Sequence, residues 1–376
     1  MAGNKMASWR TLRTAGMGCM LAVYGVAGAA DIVIGQSLTL SGEDVEIGRV
    51  IRSGAEAYVG HVNATGGIDG RRLRLVTLED HGDVEIYRRN LETLITRDGA
   101  VAIVNCVGDR FCRVAAEVAD ARGVPLVGAI SGSSALRQPG RMVFALRPGY
   151  AVEAEVLTRQ LKSVGVARVA LVTEAKLASD QQAVLARVLG AGGLEVVAMT
   201  LASPAEPDLA ALLRQLETGG FDAVVLEFGA STYGVLAAGG YGSHPAWPGV
   251  IATLADPTLR LLATTFRGRM IGFTMLVPNP EHTALPVVRE FQHHVEHYSE
   301  ASALYLDGFE AYLNLRVCAE ALTRAGGATP DKLVAALDRL STLDLGGFTV
   351  RVTRGERDGP EWVDVGVVSR SGLFLN

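Results

Sequence analysis

Serine and glycine fill a short loop, residues 131–134, that follows an apolar run at residues 124–130. Such a run is typical of a strand buried on both faces of a parallel sheet, and the residues after the loop have a helical composition. Backbone N–H groups at the start of a helix can hold an anion such as a carboxylate. The pattern therefore predicts an anion-binding loop that includes Ser131. The alternative is that Ser131 or Ser133 only caps the helix.

Charged residues follow another apolar run, residues 100–106, at Asp109, Arg110 and Arg113. They could line a cleft or form an ordinary surface pair, and we favour Asp109 in a cleft. An ionised carboxylate only accepts hydrogen bonds, so Asp109 would repel an anion held at Ser131 unless a donor lies between them. A ligand with a carboxylate near Ser131 and an amine or hydroxyl donor near Asp109 would satisfy both residues.

Three histidines, His293, His294 and His297, fall on one predicted helix. The first and last are at i, i+4, a spacing that can share a metal ion, but the sequence offers no identifiable third ligand. We therefore expect a solvated helix face and no metal site. The sequence also lacks the glycine-rich nucleotide loops and the G-x-S-x-G motif of α/β hydrolases. No cofactor is expected, and the chain is not expected to be an enzyme.

Strands and helices alternate along the first part of the chain, and they position these candidate residues. Between the first two strands, apolar residues recur at helical spacing from position 51 to position 62. Helical crossovers between successive strands give a parallel sheet flanked by helices. Ser131 and Asp109 then lie at the carboxyl ends of their strands, where ligands of such sheets bind. The expected strands are residues 31–40, 72–78, 100–106 and 124–130.

A second series of elements begins after Pro148. Its strands are expected at residues 168–173, 194–201, 222–228, 249–253 and 270–277. Late helices are expected at residues 286–298, 304–324 and 330–340. The tail, residues 348–352 and 362–368, alternates as an antiparallel hairpin would. The sequence therefore predicts an α/β protein with two lobes of similar build.

Residues 1–30 have the features of a secretory signal peptide. Lys5, Arg10 and Arg13 precede an apolar stretch too short for a permanent membrane span, and small residues suit cleavage after Ala29 or Ala30. We therefore expect a periplasmic protein with no stable membrane insertion of the mature chain. With 35 basic and 40 acidic residues and no basic cluster, the chain is not expected to bind nucleic acid.

Cysteine usage leaves one question open. Cys106 and Cys112 lie six residues apart and could pair in an oxidising compartment, but free, partly buried thiols are an equal alternative. Cys318 lies in an apolar helical pattern and is expected to be a buried thiol.

Several phrases of the sequence resemble type I periplasmic substrate-binding proteins of ABC transporters, and most of all their branched-chain amino-acid (Leu/Ile/Val) receptors. These phrases are IGQSLTLSG, AYVGHVNATGGIDGRRLRLV, GVPLVGAISGSSALR and FEAYLNLRVCAEAL. The resemblance spans essentially the whole mature chain. It implies two Rossmann-like lobes with parallel sheets flanked by helices, joined by a three-crossing hinge. The N-terminal lobe would comprise residues 31–148 plus 278–345, and the C-terminal lobe residues 149–277 plus 346–376.

The family's cleft residues can be carried over to the first lobe. In relatives, two loops hold an α-carboxylate through backbone N–H and hydroxyl groups, and a loop after the first strand lies near the cleft mouth. Asp109 replaces a serine that is common in relatives. The ligand-binding residues that the resemblance implies here are Ile47, Gly108, Asp109, Ile130, Ser131 and Gly132.

On the second lobe the match to the family is poor. Ala178-Ser179 stands where relatives often carry a tyrosine before glycine. Thr253 stands where an acidic residue often meets the ligand ammonium, with Asp256 three residues further on. Ser179 and Thr253 complete the expected site. These departures affect the identity of the ligand rather than the class of receptor.

The sequence favours an exported solute-binding protein that captures a small polar ligand between its lobes and delivers it to an ABC permease. The expected ligand is an amino acid or a related small carboxylate or amide. The protein is expected to be a monomer, with that small molecule and the permease as its partners. Two alternatives stay open: a ligand-sensing subunit of a signalling receptor with the same fold and, with less support, an exported α/β enzyme.

Overall fold

A computed structural model of the chain describes residue 1 and residues 30–177, 180–282, 284–355, 362–370 and 374–375. Nearly all of the expected signal peptide therefore lies outside the described residues. Within the described ranges, no helix combines the length and the apolar composition needed to cross a bilayer. The chain folds into two α/β lobes, each built on its own sheet.

The first lobe contains a six-stranded sheet. Its strands are β1 (Ile32–Leu38), β2 (Leu73–Glu79), β3 (Ala102–Val104), β4 (Leu126–Val127), β5 (Val143–Ala145) and β13 (Thr353–Arg354). Their spatial order is β13-β5-β4-β3-β1-β2. The first five strands run parallel, and β13 adds an antiparallel edge to β5. The four strands expected from the sequence are confirmed, and β5 and β13 extend the sheet.

The second lobe contains a seven-stranded sheet. Its strands are β6 (Arg168–Glu174), β7 (Glu195–Leu201), β8 (Ala223–Glu227), β9 (Val250–Thr253), β10 (Met270–Met275), β14 (Asp364–Val368) and β15 (Phe374–Leu375). Their spatial order is β15-β14-β10-β9-β8-β6-β7. Strands β6 to β10 are parallel, as the sequence predicts, and β14 and β15 are antiparallel additions at one edge.

Helices cover both faces of each sheet. Those of the first lobe are α1 (Val45–Ala64), α2 (Val84–Thr96), α3 (Gly108–Arg122), α9 (Pro286–Tyr298), α10 (Leu306–Arg324) and α11 (Pro330–Leu340). Those of the second are α4 (Tyr150–Ser163), α5 (Asp180–Ala191), α6 (Glu206–Gly219), α7 (Ala230–Ala238) and α8 (Leu259–Thr265). Helices α1, α9, α10 and α11 share one core on the first sheet, and α2 and α3 share another on its opposite face.

Close packing of α1 against α10 depends on a glycine. A Cβ atom at Gly54 would lie 1.9 Å from the carbonyl oxygen of Gly308. The apolar side of α1, including Ile51 and Ala55, is fully buried at this contact. The helical spacing found between positions 51 and 62 is therefore confirmed as the core side of a helix.

The third crossing between the lobes lies later in the chain than the sequence predicts. Phe348, Val350 and Val352 belong to the core of the first lobe, and β13 pairs with β5 there. The chain joins the second sheet only at β14. The expected boundary at residue 345 is therefore wrong, because residues 346–354 stay with the first lobe.

The tail does not form the expected hairpin. Strand β12 (Thr349–Arg351) pairs with β11 (Thr342–Asp344), whereas β14 pairs with β10 of the second lobe. Alternation of apolar and polar residues indicates a strand with one buried face, but it does not identify the neighbouring strand. The two halves of the alternating pattern therefore pair with different lobes.

The cysteines are resolved by the fold. Cys106 and Cys112 form a disulfide, which was one of the two alternatives that the sequence left open. Cys318 is a buried free thiol, as predicted. The disulfide ties Cys106, two residues after the end of β3, to the second turn of α3. It therefore braces the loop that contains Gly108 and Asp109.

The histidines of α9 do not share one solvated face. His293 and His297 are exposed, whereas His294 is only 6% exposed and stacks on His61 with ring centroids 3.9 Å apart. The Nδ1 atom of His294 lies 2.9 Å from the hydroxyl oxygen of Tyr312. The expectation of a solvated face is wrong for His294 because α9 turns this residue towards α1 and α10.

A third candidate ligand does lie beside the exposed histidines. Side-chain ligand atoms of His293, Glu296 and His297 lie within 4.8 Å of one another. The sequence pattern missed Glu296 because it is not in the H-E-x-x-H arrangement. All three residues are exposed, and the Nδ1 atom of His297 already lies 2.8 Å from the carbonyl oxygen of His293.

Acid should destabilise the protein partly through His294. Burial, followed by the neighbouring His61, His293, Arg316 and His297, lowers the pKa of His294 from 6.5 to about 4. Because the unfolded chain binds a proton more readily, the stability that neutral His294 contributes is lost as pH falls from about 6.5 towards 4. We expect a loss of roughly 1 kcal/mol from this residue between pH 7 and pH 5, allowing for solvent screening.

Thermal denaturation at several pH values measures this effect. The midpoint of His294→Gln should fall less between pH 7 and pH 5 than that of the wild type. His282→Gln, at an exposed histidine, is the matched control and should follow the wild type. Equal acid sensitivity of wild type and His294→Gln would show that His294 is not the responsible group.

Candidate functional site

A cavity of about 660 Å³ lies between the carboxyl ends of the two sheets. Residues at the ends of β1, β3 and β4 line it from the first lobe, and residues at the ends of β6, β8 and β9 line it from the second. Carboxyl ends of parallel strands are where open α/β sheets bind ligands. The volume suits a small molecule held by both lobes.

The first lobe brings two of the predicted loops together. The N–H of Gly108 donates to the carbonyl oxygen of Ile130 at 3.0 Å, and the N–H of Ile130 donates to that of Cys106 at 2.9 Å. Gly108 has φ of +74°, a conformation that favours glycine. Helix α3 begins here and places Asp109 in its first turn, near the positive end of the helix dipole.

Asp109 and Ser131 are in direct contact. The hydroxyl of Ser131 donates to Oδ1 of Asp109 at 2.6 Å, and the hydroxyl of Tyr150 donates to the same oxygen at 2.6 Å. Ser131 is 1% exposed. The expected arrangement, with a ligand carboxylate at Ser131 and a ligand donor between Ser131 and Asp109, is therefore wrong. The carboxylate that meets Ser131 is the protein's own.

The loop after β4 does not begin a long helix. Residues Ser134–Arg137 form a single 3-10 turn, and Ser133 accepts a hydrogen bond from the N–H of Ala135. Oγ of Ser131 also accepts from the N–H of Ser133 at 3.1 Å. The helix start required for the predicted anion site is therefore absent from this loop, and the capping alternative describes Ser133.

A buried arginine fixes this loop to the segment at Arg147 and Pro148, where the chain first crosses from the first lobe to the second. The guanidinium of Arg137, 1% exposed, donates to the carbonyl oxygens of Ser133, Arg147 and Pro148 at 2.7 to 2.9 Å. The N–H of Tyr150 donates to the carbonyl oxygen of Gly132 at 3.1 Å. Gly132 itself does not line the cavity: a Cβ there would lie 2.3 Å from the Tyr150 ring, so the glycine makes room for Tyr150.

The remaining predicted residues fall in different places. Ile47, Gly108, Asp109 and Ile130 line the cavity. Thr253 is 2% exposed within β9 and does not line it, so its assignment is wrong by a few residues. Ser179 lies outside the described residues.

Sequence reasoning missed Glu227 on the second lobe and noted Asp256 only as a neighbour of Thr253, not as a site residue. Glu227 ends the all-buried strand β8, and Asp256 follows β9 by three residues; both line the cavity. Nε2 of Gln181 donates to Oε2 of Glu227. Oδ1 of Asp256 accepts from the N–H and the hydroxyl of Thr258. The signal for Glu227 was available, because an acidic residue ended an apolar parallel strand.

Burial changes the acid–base behaviour of these groups. Desolvation raises the pKa of Glu227 well above its ordinary value, and the charges of Asp256, Glu153 and Asp109 raise it further. Desolvation also raises the pKa of Asp256, against hydrogen bonds from Thr258 that lower it. Desolvation and then the Asp109 charge raise the pKa of Tyr150, which keeps its hydroxyl a donor.

Two α/β lobes whose parallel sheets face a shared cavity define a two-lobed ligand-binding protein. A family model described as a periplasmic binding protein matches residues 31–365. The chain therefore belongs to the periplasmic binding protein family, and its fold is that of the type I members found in ABC transporter systems. The resemblance and the fold class predicted from the sequence are confirmed.

The names of similar proteins and structures refer to different ligands. Leu/Ile/Val-binding protein homolog 2 of Brucella abortus (strain 2308) is 37% identical over 65 residues, which are 17% of this chain and 18% of that protein's length. A substrate-binding periplasmic protein from Ralstonia solanacearum has 26% identity and a TM-score of 0.81, covering 92% of this chain and 99% of that one. A solute-binding protein of an ABC transporter from R. palustris, in complex with 4-hydroxybenzoate, has 16% identity and a TM-score of 0.74, covering 93% and 96%.

Replacing Ser131 should reduce stability. Ser131→Ala removes a buried donor to Asp109, so the free energy of unfolding should fall by about 1 kcal/mol. Chemical denaturation of the ligand-free protein measures this. Ser163→Ala also deletes a serine hydrogen bond, but at an exposed position, and should change stability by less than about 0.5 kcal/mol. An unchanged unfolding free energy for Ser131→Ala would contradict the buried contact.

Proposed function

We propose that this protein is an exported receptor that captures a small polar ligand between its lobes and delivers it to an ABC permease in the membrane. The observation that carries the proposal is the cavity of about 660 Å³ lined by strand ends of both lobes. Membership of the family supports the same role. The amino acid, carboxylate or amide expected from the sequence defines the first compounds to test.

Closure of the lobes would couple binding to delivery. A ligand in this cavity contacts Asp109 and Ile130 on one side and Glu227 and Asp256 on the other. Contacts that exist with both lobes only in the closed form give the ligand a higher affinity for that form. The chain crosses between the lobes near Pro148 and after β10, and these two segments are the proposed hinge; the third crossing, between β13 and β14, includes residues outside the described ranges.

The first crossing has little freedom at its start. Arg147 is 4% exposed, and its guanidinium makes two hydrogen bonds to the Glu310 carboxylate, at 2.9 and 3.0 Å. Arg137 holds the carbonyl groups of residues 147 and 148. Rotation during closure is therefore expected after Pro148 rather than before it, and it would have to change the hydrogen bonds of Tyr150 to Gly132 and Asp109. A periplasmic location and a monomeric state complete the proposal.

A thermal-shift screen followed by small-angle scattering tests the proposal. The screen should include amino acids, amides, amines, aromatic acids and short dicarboxylates. A compound at a hundred times its dissociation constant should stabilise the protein by about 2.7 kcal/mol. That compound should also reduce the radius of gyration without changing the circular dichroism. Tight binding with an unchanged radius would contradict capture by closure.

A further inference from the structure

Acidic side chains face the cavity from both lobes. Glu227 and Asp256 line it on the second lobe, and Asp44 and Asp109 line it on the first. The cavity of a receptor for a zwitterionic amino acid must instead offer one group to a carboxylate and another to an ammonium. The charges of this cavity therefore bear directly on the class of ligand.

Glu227 is the least satisfied of these acids. The residue is 7% exposed, its Oε1 atom has no partner at hydrogen-bond geometry among the described residues, and the backbone N–H of Leu254 lowers the pKa of the carboxyl without cancelling the effect of burial. Its other oxygen meets the neutral amide of Gln181. A carboxylate buried with only neutral partners is costly unless a cation is supplied. The cavity is the side from which a cation can arrive.

Asp256 has neutral partners as well. Both of its hydrogen bonds come from Thr258. Among the described residues, the ion pairs found in the structure include neither Asp256 nor Glu227. The second lobe therefore presents two carboxylates to the cavity without a paired cation.

The cations around the cavity offset these charges only in part: Arg147 lowers the pKa of Asp256 and Lys176 lowers that of Asp44, but both pKa values stay raised. Arg147 forms an ion pair with Glu310, and Nζ of Lys176 lies 3.1 Å from Oε1 of Glu174. Arg110 and Arg113 are exposed on α3. Among the described residues, the buried or half-buried charges of the lining that lack an ion-pair partner are therefore acidic, whereas Asp44, Arg110 and Arg113 are exposed.

The acidic groups influence one another across the cleft. After desolvation, the charges of Asp256 and Asp109 contribute to the raised pKa of Glu227. After desolvation and Glu43, Asp256 also raises the pKa of Asp44, against an opposing effect of Lys176. Asp44 and Asp109 of the first lobe are therefore electrostatically coupled to the second lobe, where Lys176 lowers the pKa of Asp44 and Asp256 raises it to a smaller extent.

We propose that the ligand is a small organic cation, an amine or guanidine without a carboxylate group, bound between Glu227 and Asp256 of one lobe and Asp109 of the other. This inference rests on the proposed function and narrows its ligand class. A carboxylate in the same place would meet acidic side chains, and Ser131 is already bonded to Asp109. The cation would contact acidic groups of both lobes at once and so favour closure.

Matched pairs of compounds test the class of ligand. Agmatine and arginine, 1,4-diaminobutane and ornithine, and 3-methylbutylamine and leucine differ within each pair by one carboxylate. Isothermal titration calorimetry should show at least about tenfold tighter binding for the decarboxylated member of at least one pair, because one charged contact exceeds about 1.4 kcal/mol. Binding should weaken as salt is raised.

Variants locate the binding group. Glu227→Gln and Asp256→Asn preserve shape and remove charge, and each should weaken binding of the preferred amine by at least about tenfold. Glu217→Gln, at an exposed residue of α6 in the same lobe, is the matched control and should leave affinity unchanged. Circular dichroism of each variant checks that it is folded.

The outcomes separate this inference from the proposed function. The proposal of a cationic ligand would be wrong if the amino-acid members bound equally or more tightly, or if both Glu227→Gln and Asp256→Asn kept full affinity. Neither result would contradict the proposed capture of a ligand between the lobes. Absence of binding by every amine would also overturn it. If no amino acid, amide or acid of the wider panel bound either, the proposed capture function would also be contradicted.

Discussion

Two hydroxyl groups, those of Ser131 and Tyr150, donate to one carboxylate oxygen of Asp109, each at 2.6 Å. This contact joins the start of α3, the loop after β4 and the first helix of the second lobe. The disulfide between Cys106 and Cys112 constrains the backbone on either side of Asp109. The guanidinium of Arg137 fixes the backbone on the other side. The shape of the cleft at this edge therefore depends on a carboxylate that belongs to the protein.

That carboxylate changes what the cleft can recognise. The resemblance to branched-chain amino-acid receptors implies a ligand carboxylate held by hydroxyl and N–H groups in these loops. Here Asp109 meets the hydroxyl of Ser131, and the second lobe adds Glu227 and Asp256. A positive ligand would contact acidic groups of both lobes only in the closed form, and it would therefore favour closure. The same fold can thus serve a different ligand through a few charges placed at strand ends.

Much of the fold could be predicted from the sequence because it rests on local patterns. Apolar runs located nine parallel strands, and the bounds of α9 and α11 matched the predicted ones. The antiparallel edges could not be predicted in the same way, since β13 and β14 find partners about two hundred and about ninety residues away along the chain. Loop positions placed Asp109 and Ile130 at the cleft. The Asp109–Ser131 contact and the burial of His294 depend on side-chain directions that spacing does not specify.

Proton exchange on binding tests the role of the acidic cleft most directly. Agmatine can be titrated into the protein near neutral pH in buffers that differ in ionisation enthalpy, and the dependence of the observed heat on buffer gives the number of protons exchanged. A bound cation would lower the pKa of Glu227, which burial raises well above its ordinary value, so binding should release protons to the buffer. Proton uptake, or binding without proton exchange, would contradict a cation held by these carboxylates.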